Sequence, residues 1–188
     1  IRDSFMGGFK GAFSSNSSFS IGLRYRHFSS MPLYYNLESN SLRQFQVVTD
    51  KVTNRQLFAE FIHEGKKLNL LAKGEFNKYD VYNNEAYQLP EVYMETRLSY
   101  KVQDKFVLGV DLFFYGEQLG LESFDNNNLP KTIKIDPIFD FNIDFRYNYS
   151  KKLGAFLKTN NILNTNHQRW DQYSNYGFNM LVGVDYNF

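Results

Sequence analysis

From Phe139 to Tyr149 the chain alternates without a break. Phe139, Phe141, Ile143, Phe145, Tyr147 and Tyr149 fall on one side of an extended backbone, and Asp140, Asn142, Asp144, Arg146 and Asn148 fall on the other. Successive side chains of a β-strand point to opposite faces, so this segment predicts a strand with one apolar and one polar face. Its length limits what can cover the apolar face. A strand crossing a bilayer at its usual tilt needs about 9 to 11 residues, whereas a strand of a soluble protein typically has about 5 to 6. The last strand repeats the pattern, setting Phe178, Met180, Val182, Val184, Tyr186 and Phe188 against Asn179, Leu181, Gly183, Asp185 and Asn187. Lipid is the expected cover of that apolar face, with aromatic rings at the interfaces. The competing reading, a half-buried strand of a soluble sandwich, would place the same residues against a second sheet.

Two further segments follow the same rule. Phe19, Ile21, Leu23 and Tyr25 oppose Ser18, Ser20, Gly22, Arg24 and Arg26; Val92, Met94, Thr96, Leu98 and Tyr100 oppose Tyr93, Glu95, Arg97 and Ser99. The mean hydropathy of −0.48, and the lack of any apolar run long enough for a transmembrane helix, would by themselves suggest a soluble chain. A barrel wall hides its lipid contacts at every second residue and therefore averages to a polar value. A net charge of +1 gives no case for nucleic acid, and the absence of cysteine removes disulfide frameworks and thiolate metal sites.

The alternation predicts nine strands: Phe5 to Ser14, Ser18 to Phe28, Val52 to His63, Leu68 to Tyr79, Val92 to Lys101, Phe106 to Tyr115, Ile138 to Tyr149, Leu153 to Leu163 and Phe178 to Phe188. Arg55 to His63 alternates poorly, and Gln44 to Thr49 reads either as a strand extension or as a separate short element. Short connections alternate with long ones, at Ser29 to Lys51, Asp80 to Glu91, Gly116 to Pro137 and Asn164 to Gly177. Outer-membrane barrels are wired this way, with short periplasmic turns and longer external loops. The expected fold class is all-β, a transmembrane antiparallel outer-membrane β-barrel. An odd number of antiparallel strands would close two that run in the same direction, so residues 1–188 are read as the C-terminal portion of one larger barrel domain.

The inward face is the place to look for chemistry. By phase it carries Lys10, Arg24, Arg26, Lys73, Glu75, Glu95, Arg97, Asp111, Asp140, Asp144, Arg146, Lys158 and Asp185. Rings of one sign would indicate ion selectivity, whereas interspersed acids and bases read as a neutralised ladder that holds neighbouring strands or a plug. Loop aromatics Tyr34, Tyr35, Tyr82, Tyr87, Trp170 and Tyr173 are read as interfacial anchors or loop packing, with stacking on a sugar as the alternative. His27, His63 and His167 show no zinc spacing, and Ser20 or Ser99 with His27 or His63 forms no recognisable nucleophile pair. Glu60 and Glu64 read as solvated charges flanking a turn. Asp125 with Asn126, Asn127 and Asn128 lacks the order of a calcium loop. No enzyme, cofactor or metal site is expected.

The segment FLKTNNILNTNHQRWDQYSNYGFNMLVGVDYNF, Phe156 to Phe188, resembles the end of TonB-dependent receptors. The features that carry the resemblance are an up-strand closing in Asn-Asn-Ile-Leu-Asn, an aromatic-rich loop, a Gly before the last strand and a terminal Phe. Ala86 to Gly116 resembles the penultimate hairpins of such receptors, particularly the TonB-receptor-like barrels of the Bacteroidota. The resemblance implies a barrel of about 22 strands in the bacterial outer membrane, occluded by an N-terminal plug. It also implies that Phe188, Tyr186, Val184 and Val182 form the insertion signal read by the barrel-assembly machinery. The implied partners are outer-membrane lipid, TonB and a surface lipoprotein. Two functions remain open on the residues: a transport wall for active nutrient uptake, and a non-transporting barrel subunit that scaffolds a larger assembly or secretion machine.

Overall fold

The computed structural model describes residues 2–39, 42–103, 105–124, 130–166, 168–170 and 173–188. Within them every regular element is a strand. Nine strands form one antiparallel sheet in which each pairs with the next along the chain. They are β1 (Asp3–Ser14), β2 (Ser17–Ser39), β3 (Leu42–Glu64), β4 (Leu68–Val81), β5 (Val92–Val102), β6 (Phe106–Tyr115), β9 (Ile138–Asn148), β10 (Leu153–Asn160) and β13 (Asn179–Tyr186). Between β6 and β9 the hairpin β7 (Gln118–Phe124) and β8 (Pro130–Ile135) stands apart as its own two-stranded sheet. β11 (Gln168–Trp170) and β12 (Tyr173–Ser174) do the same between β10 and β13.

The register keeps one phase across all nine strands. Gly7 lies opposite Leu23, Leu23 opposite Leu57, Leu57 opposite Phe76, and Phe76 opposite Val92. Further along, Thr96 pairs with Leu112, Leu112 with Phe141, and Leu157 with both Phe145 and Val182. A slip of one residue at any pairing would have turned the following strands inside out. The alternating apolar rows of these strands therefore share one outer face, on which Phe9 is 79% and Val184 70% exposed. A contiguous apolar surface of this extent needs a cover, and lipid supplies one.

The alternation located the nine main strands, and the differences lie beyond their ends. β2 and β3 run on as a ribbon past the segment expected to be a loop, so Gln44 to Thr49 is a strand extension. Each has 23 residues, a length of about 75 Å against a hydrocarbon thickness of about 30 Å, so the ribbon projects well beyond the bilayer. β3 alternated poorly because Phe58 and Ile62 share the inner phase with Gln56 and Glu60, while Arg55 and His63 share the outer phase with Leu57 and Phe61. β10 ends at Asn160, short of the expected Leu163.

The apolar core lies at the end with the long connections. Leu33 and Val52 are fully enclosed, and Tyr87, Leu121 and Ile138 are at most 2% exposed. These residues come from the β2 ribbon, its base on β3, the start of β9, the 82–91 connection and the β7–β8 hairpin. Tyr87 bridges to Leu119, Gln88 N donates to Leu119 O at 2.8 Å, and the Tyr35 and Tyr87 rings meet edge to face at 5.8 Å. The first three long connections thus pack on one another at the outer rim.

Candidate functional site

The inner wall is built by lateral hydrogen bonds between side chains that the register sets side by side. On β2, β3 and β4, Arg24 Nη1 donates to Gln56 Oε1 at 2.9 Å. Gln56 Nε2 donates to Glu75 Oε2 at 2.7 Å and to Asn77 Oδ1 at 3.0 Å, and Asn54 donates to the same Asn77 oxygen at 3.2 Å. Because Gln56 and Asn77 are buried, an unmade bond there would cost about 1–3 kcal/mol. On β5 the buried Glu95 carboxylate is satisfied within its own strand, by Tyr93 Oη at 3.0 Å and Arg97 Nε at 2.6 Å.

Aromatic rings also line this face. Arg24 lies over Phe58 at 5.1 Å and Arg97 over Phe113 at 5.6 Å, cation–π contacts that cover one face of each guanidinium. Two glycines make room for rings. A β-carbon on Gly22 would lie 2.9 Å from Phe58, and one on Gly183 would collide with Phe156.

All the expected inward residues share this face, but they are joined unevenly. Lys73 meets Glu60 at 3.8 Å, and Arg146 reaches over Gly154 to Asp185 at 3.4 Å. Asp144 lies against Gly109, whose missing side chain leaves it space. Arg26 Nε and Asp140 Oδ1 are buried without a hydrogen-bond partner among the described residues. Val182, Val184 and Tyr186 lie on the outer face opposite Leu157, Ala155 and Leu153, and the Phe188 ring stands edge-on to Tyr186 at 5.1 Å.

Two polar pins organise the outer rim, and sequence reasoning missed the first. Asp50 is 4% exposed and its carboxylate accepts five hydrogen bonds: from Lys51 N at 2.7 Å, Asn83 N at 2.8 Å, Asn83 Nδ2 at 3.1 Å, Asn84 N at 2.8 Å and Asn84 Nδ2 at 2.8 Å. Burial pushes this carboxyl up, but the bonds from the Asn84 side chain and from the Asn83, Lys51 and Asn84 backbones outweigh it and hold it below the usual carboxylate value. The base of the ribbon is thereby tied to the next connection. The second pin explains the Asn-Asn-Ile-Leu-Asn element. Asn161 and Asn164 both adopt φ of 49°, a left-handed conformation that Asn tolerates better than most residues. Asn161 Nδ2 holds Thr165 O at 2.9 Å and Tyr176 O at 3.2 Å, and Asn164 Oδ1 accepts from Phe178 N at 2.9 Å as β13 begins.

Several expectations are revised. Glu60 does not flank a turn; it lies within β3, on the inner face opposite Lys73. A serine and a histidine do meet, but they are Ser17 and His63, with Oγ and Nδ1 2.8 Å apart beside the first short turn. His27 pairs with Thr53 at 3.1 Å. No carboxylate is bonded to His63 among the described residues, and none of the described His, Asp or Glu residues form a metal-ligating group of three. Tyr82 is exposed beneath Lys51, whereas Tyr35 and Tyr87 pack together. His167, the Asp125 to Asn128 run, and the side chains of Trp170 and Tyr173 lie outside the described residues.

No family model matches the chain, and no curated protein matches it by sequence. Solved structures do. The pyoverdine outer membrane receptor FpvA of Pseudomonas aeruginosa aligns with a TM-score of 0.75 at 15% identity, over 98% of this chain and 29% of the receptor. The ferric-catecholate import receptor Fiu of E. coli gives 0.75 at 11% identity, over 98% and 27%. The FrpB iron transporter of Neisseria meningitidis gives 0.72 at 13%, over 98% and 31%. The chain thus spans less than a third of the length of these structures. They are outer-membrane receptors and transporters, not enzymes. A continuous two-faced antiparallel sheet that follows them over nearly its whole length has the fold of the barrel wall of TonB-dependent outer-membrane receptors.

Proposed function

We propose that this chain is the C-terminal wall of a TonB-dependent-type receptor that takes up a nutrient across the outer membrane. The observation that supports it most is the unbroken phase of nine strands, which keeps one face for lipid and gives the other a hydrogen-bonded wall, in a sheet that follows receptor barrels over 98% of its length. The packed outer cap adds to it. Connections fixed by Asp50 and Asn161 hold a preorganised mouth over the lumen, as capture of a solute from outside requires. On this reading TonB energises the barrel from the periplasm, the barrel-assembly machinery inserts it, and a surface lipoprotein cooperates at the cap, as the Bacteroidota-type hairpins at Ala86 to Gly116 suggest. The competing reading is a barrel that scaffolds a larger machine.

The two are separated in a strain carrying the full-length protein. Deletion of the gene should abolish energy-dependent growth on at least one limiting nutrient in a panel of metal chelates and oligosaccharides, and disabling TonB should have the same effect. Unchanged uptake across the panel, together with stoichiometric co-purification with other outer-membrane subunits, would favour the scaffold.

A further inference from the structure

The end of the wall with the short turns carries unbalanced positive charge. Lys66 and Lys67 stand in one turn, Lys105 in the next, and Lys151 and Lys152 in the one after. All five are exposed, and none is in an ion pair among the described residues. Lys101 adjoins them from the last rungs of β5. Backbone bonds hold these turns against the neighbouring strands: Lys101 N donates to Lys67 O at 2.7 Å, Asn148 N to Lys105 O at 2.7 Å, and Asn187 N to Lys152 O at 2.8 Å. The lysines therefore form one arc along the rim. The acids nearby are few. Among the described residues Glu64 ends β3 and Asp185 is already engaged by Arg146. At the opposite end, by contrast, Arg55 is bridged to Asp80 and Lys134 to Glu117, each at 2.8 Å.

Like charges this close repel over roughly a Debye length, about 10 Å at 0.1 M salt, unless an anion lies between them. The depth of the arc indicates which anion. Just above it the outer face carries Tyr100, Phe106, Tyr147, Tyr149 and Tyr186, with Phe106 stacked on Tyr147 at 4.7 Å; aromatic rings of this kind settle at headgroup level. Lysine stems reach from the turns to that depth. We infer that the five turn lysines bind anionic phospholipid headgroups of the periplasm-facing leaflet, an inference that rests on the chain being an outer-membrane barrel wall.

The test uses the full-length barrel reconstituted in zwitterionic vesicles with trace spin-labelled phosphatidylglycerol or phosphatidylcholine. The immobilised fraction should favour phosphatidylglycerol by roughly threefold at low salt and lose that preference in about 0.5 M salt. It should also disappear in the variant combining Lys66→Gln, Lys67→Gln, Lys105→Gln, Lys151→Gln and Lys152→Gln, and survive Lys134→Gln at the other end. If the combined variant yields no heat-modifiable barrel, the pairs Lys66→Gln/Lys67→Gln and Lys151→Gln/Lys152→Gln should each lose part of the preference. Equal immobilisation of the two lipids at low salt, or a preference indifferent to the lysines, would overturn the inference. Loss of binding to isolated peptidoglycan without any lipid preference would overturn it in favour of the cell wall. A wild-type barrel that never inserts would instead overturn the wall reading beneath it.

Discussion

The nearly sealed Asp50 carboxylate ties the base of the β2–β3 ribbon to the next connection, and its chemistry makes two predictions. Asp50→Ala leaves the Asn83 and Asn84 amides without their acceptor, at a cost of about 1–3 kcal/mol; hydrogen exchange at those two amides should accelerate while exchange in the β5 and β6 ladders stays unchanged. Because the folded-state pKa of Asp50 is depressed, its contribution is complete above the unfolded carboxylate value of about 4 and is lost as pH falls through the lower folded value. The same amides should therefore open in the wild type only below that range. Asp50 was illegible in the sequence because Asn83 and Asn84, which supply four of its five bonds, lie more than thirty positions away. The Asn-Asn-Ile-Leu-Asn element was visible as a pattern, and its left-handed asparagines supply the physical reason. Glycine makes a third case. Gly183→Val should cost about 1–3 kcal/mol through collision with Phe156, and Phe156→Ala should recover much of it in a double-mutant cycle read by denaturant unfolding.

At the scale of the strand, the two faces should respond differently to charge. Arg at Phe141 or Ile143, on the outer face, should cost about 2–4 kcal/mol in bilayer unfolding measurements, and Arg at Asn142 or Asp144 much less. Equal penalties would mean the phase is wrong. Deleting Phe188 should lower the yield of heat-modifiable, protease-resistant barrel in the outer membrane, since on the proposed reading it completes the insertion signal with Tyr186, Val184 and Val182. The strands most legible in the sequence were those facing lipid on one side and polar groups on the other, such as Phe139 to Tyr149. β3 was less so, because an inner face that stacks Arg24 on Phe58 need not be polar throughout. The β2–β3 ribbon and the β7–β8 hairpin were hidden for a different reason. Beyond the bilayer neither face has a fixed solvent, and alternation loses its meaning there.

At the scale of the molecule, among the described residues neither β1 nor β13 has a second neighbour, and in hydrocarbon each bare backbone group costs several kcal/mol. On the proposed reading a longer polypeptide supplies the missing pairing. Residues 1–188 expressed alone should aggregate, and the remaining barrel supplied in trans should rescue insertion; a closed, monodisperse barrel of these residues alone would refute the fragment reading. On the proposed reading one face of this sheet meets lipid and the other an aqueous lumen. The chain has no cysteine, so single spin labels can be placed without interference from it. The most direct measurement is collision accessibility, in membranes containing the full-length barrel, at Leu23, Phe141 and Val182 against Arg24, Asn142 and Leu181. Oxygen dissolved in lipid should relax the first set and a water-soluble nickel chelate the second, strictly in alternation. The same accessibility on both faces, or contact of both with protein alone, would contradict that reading.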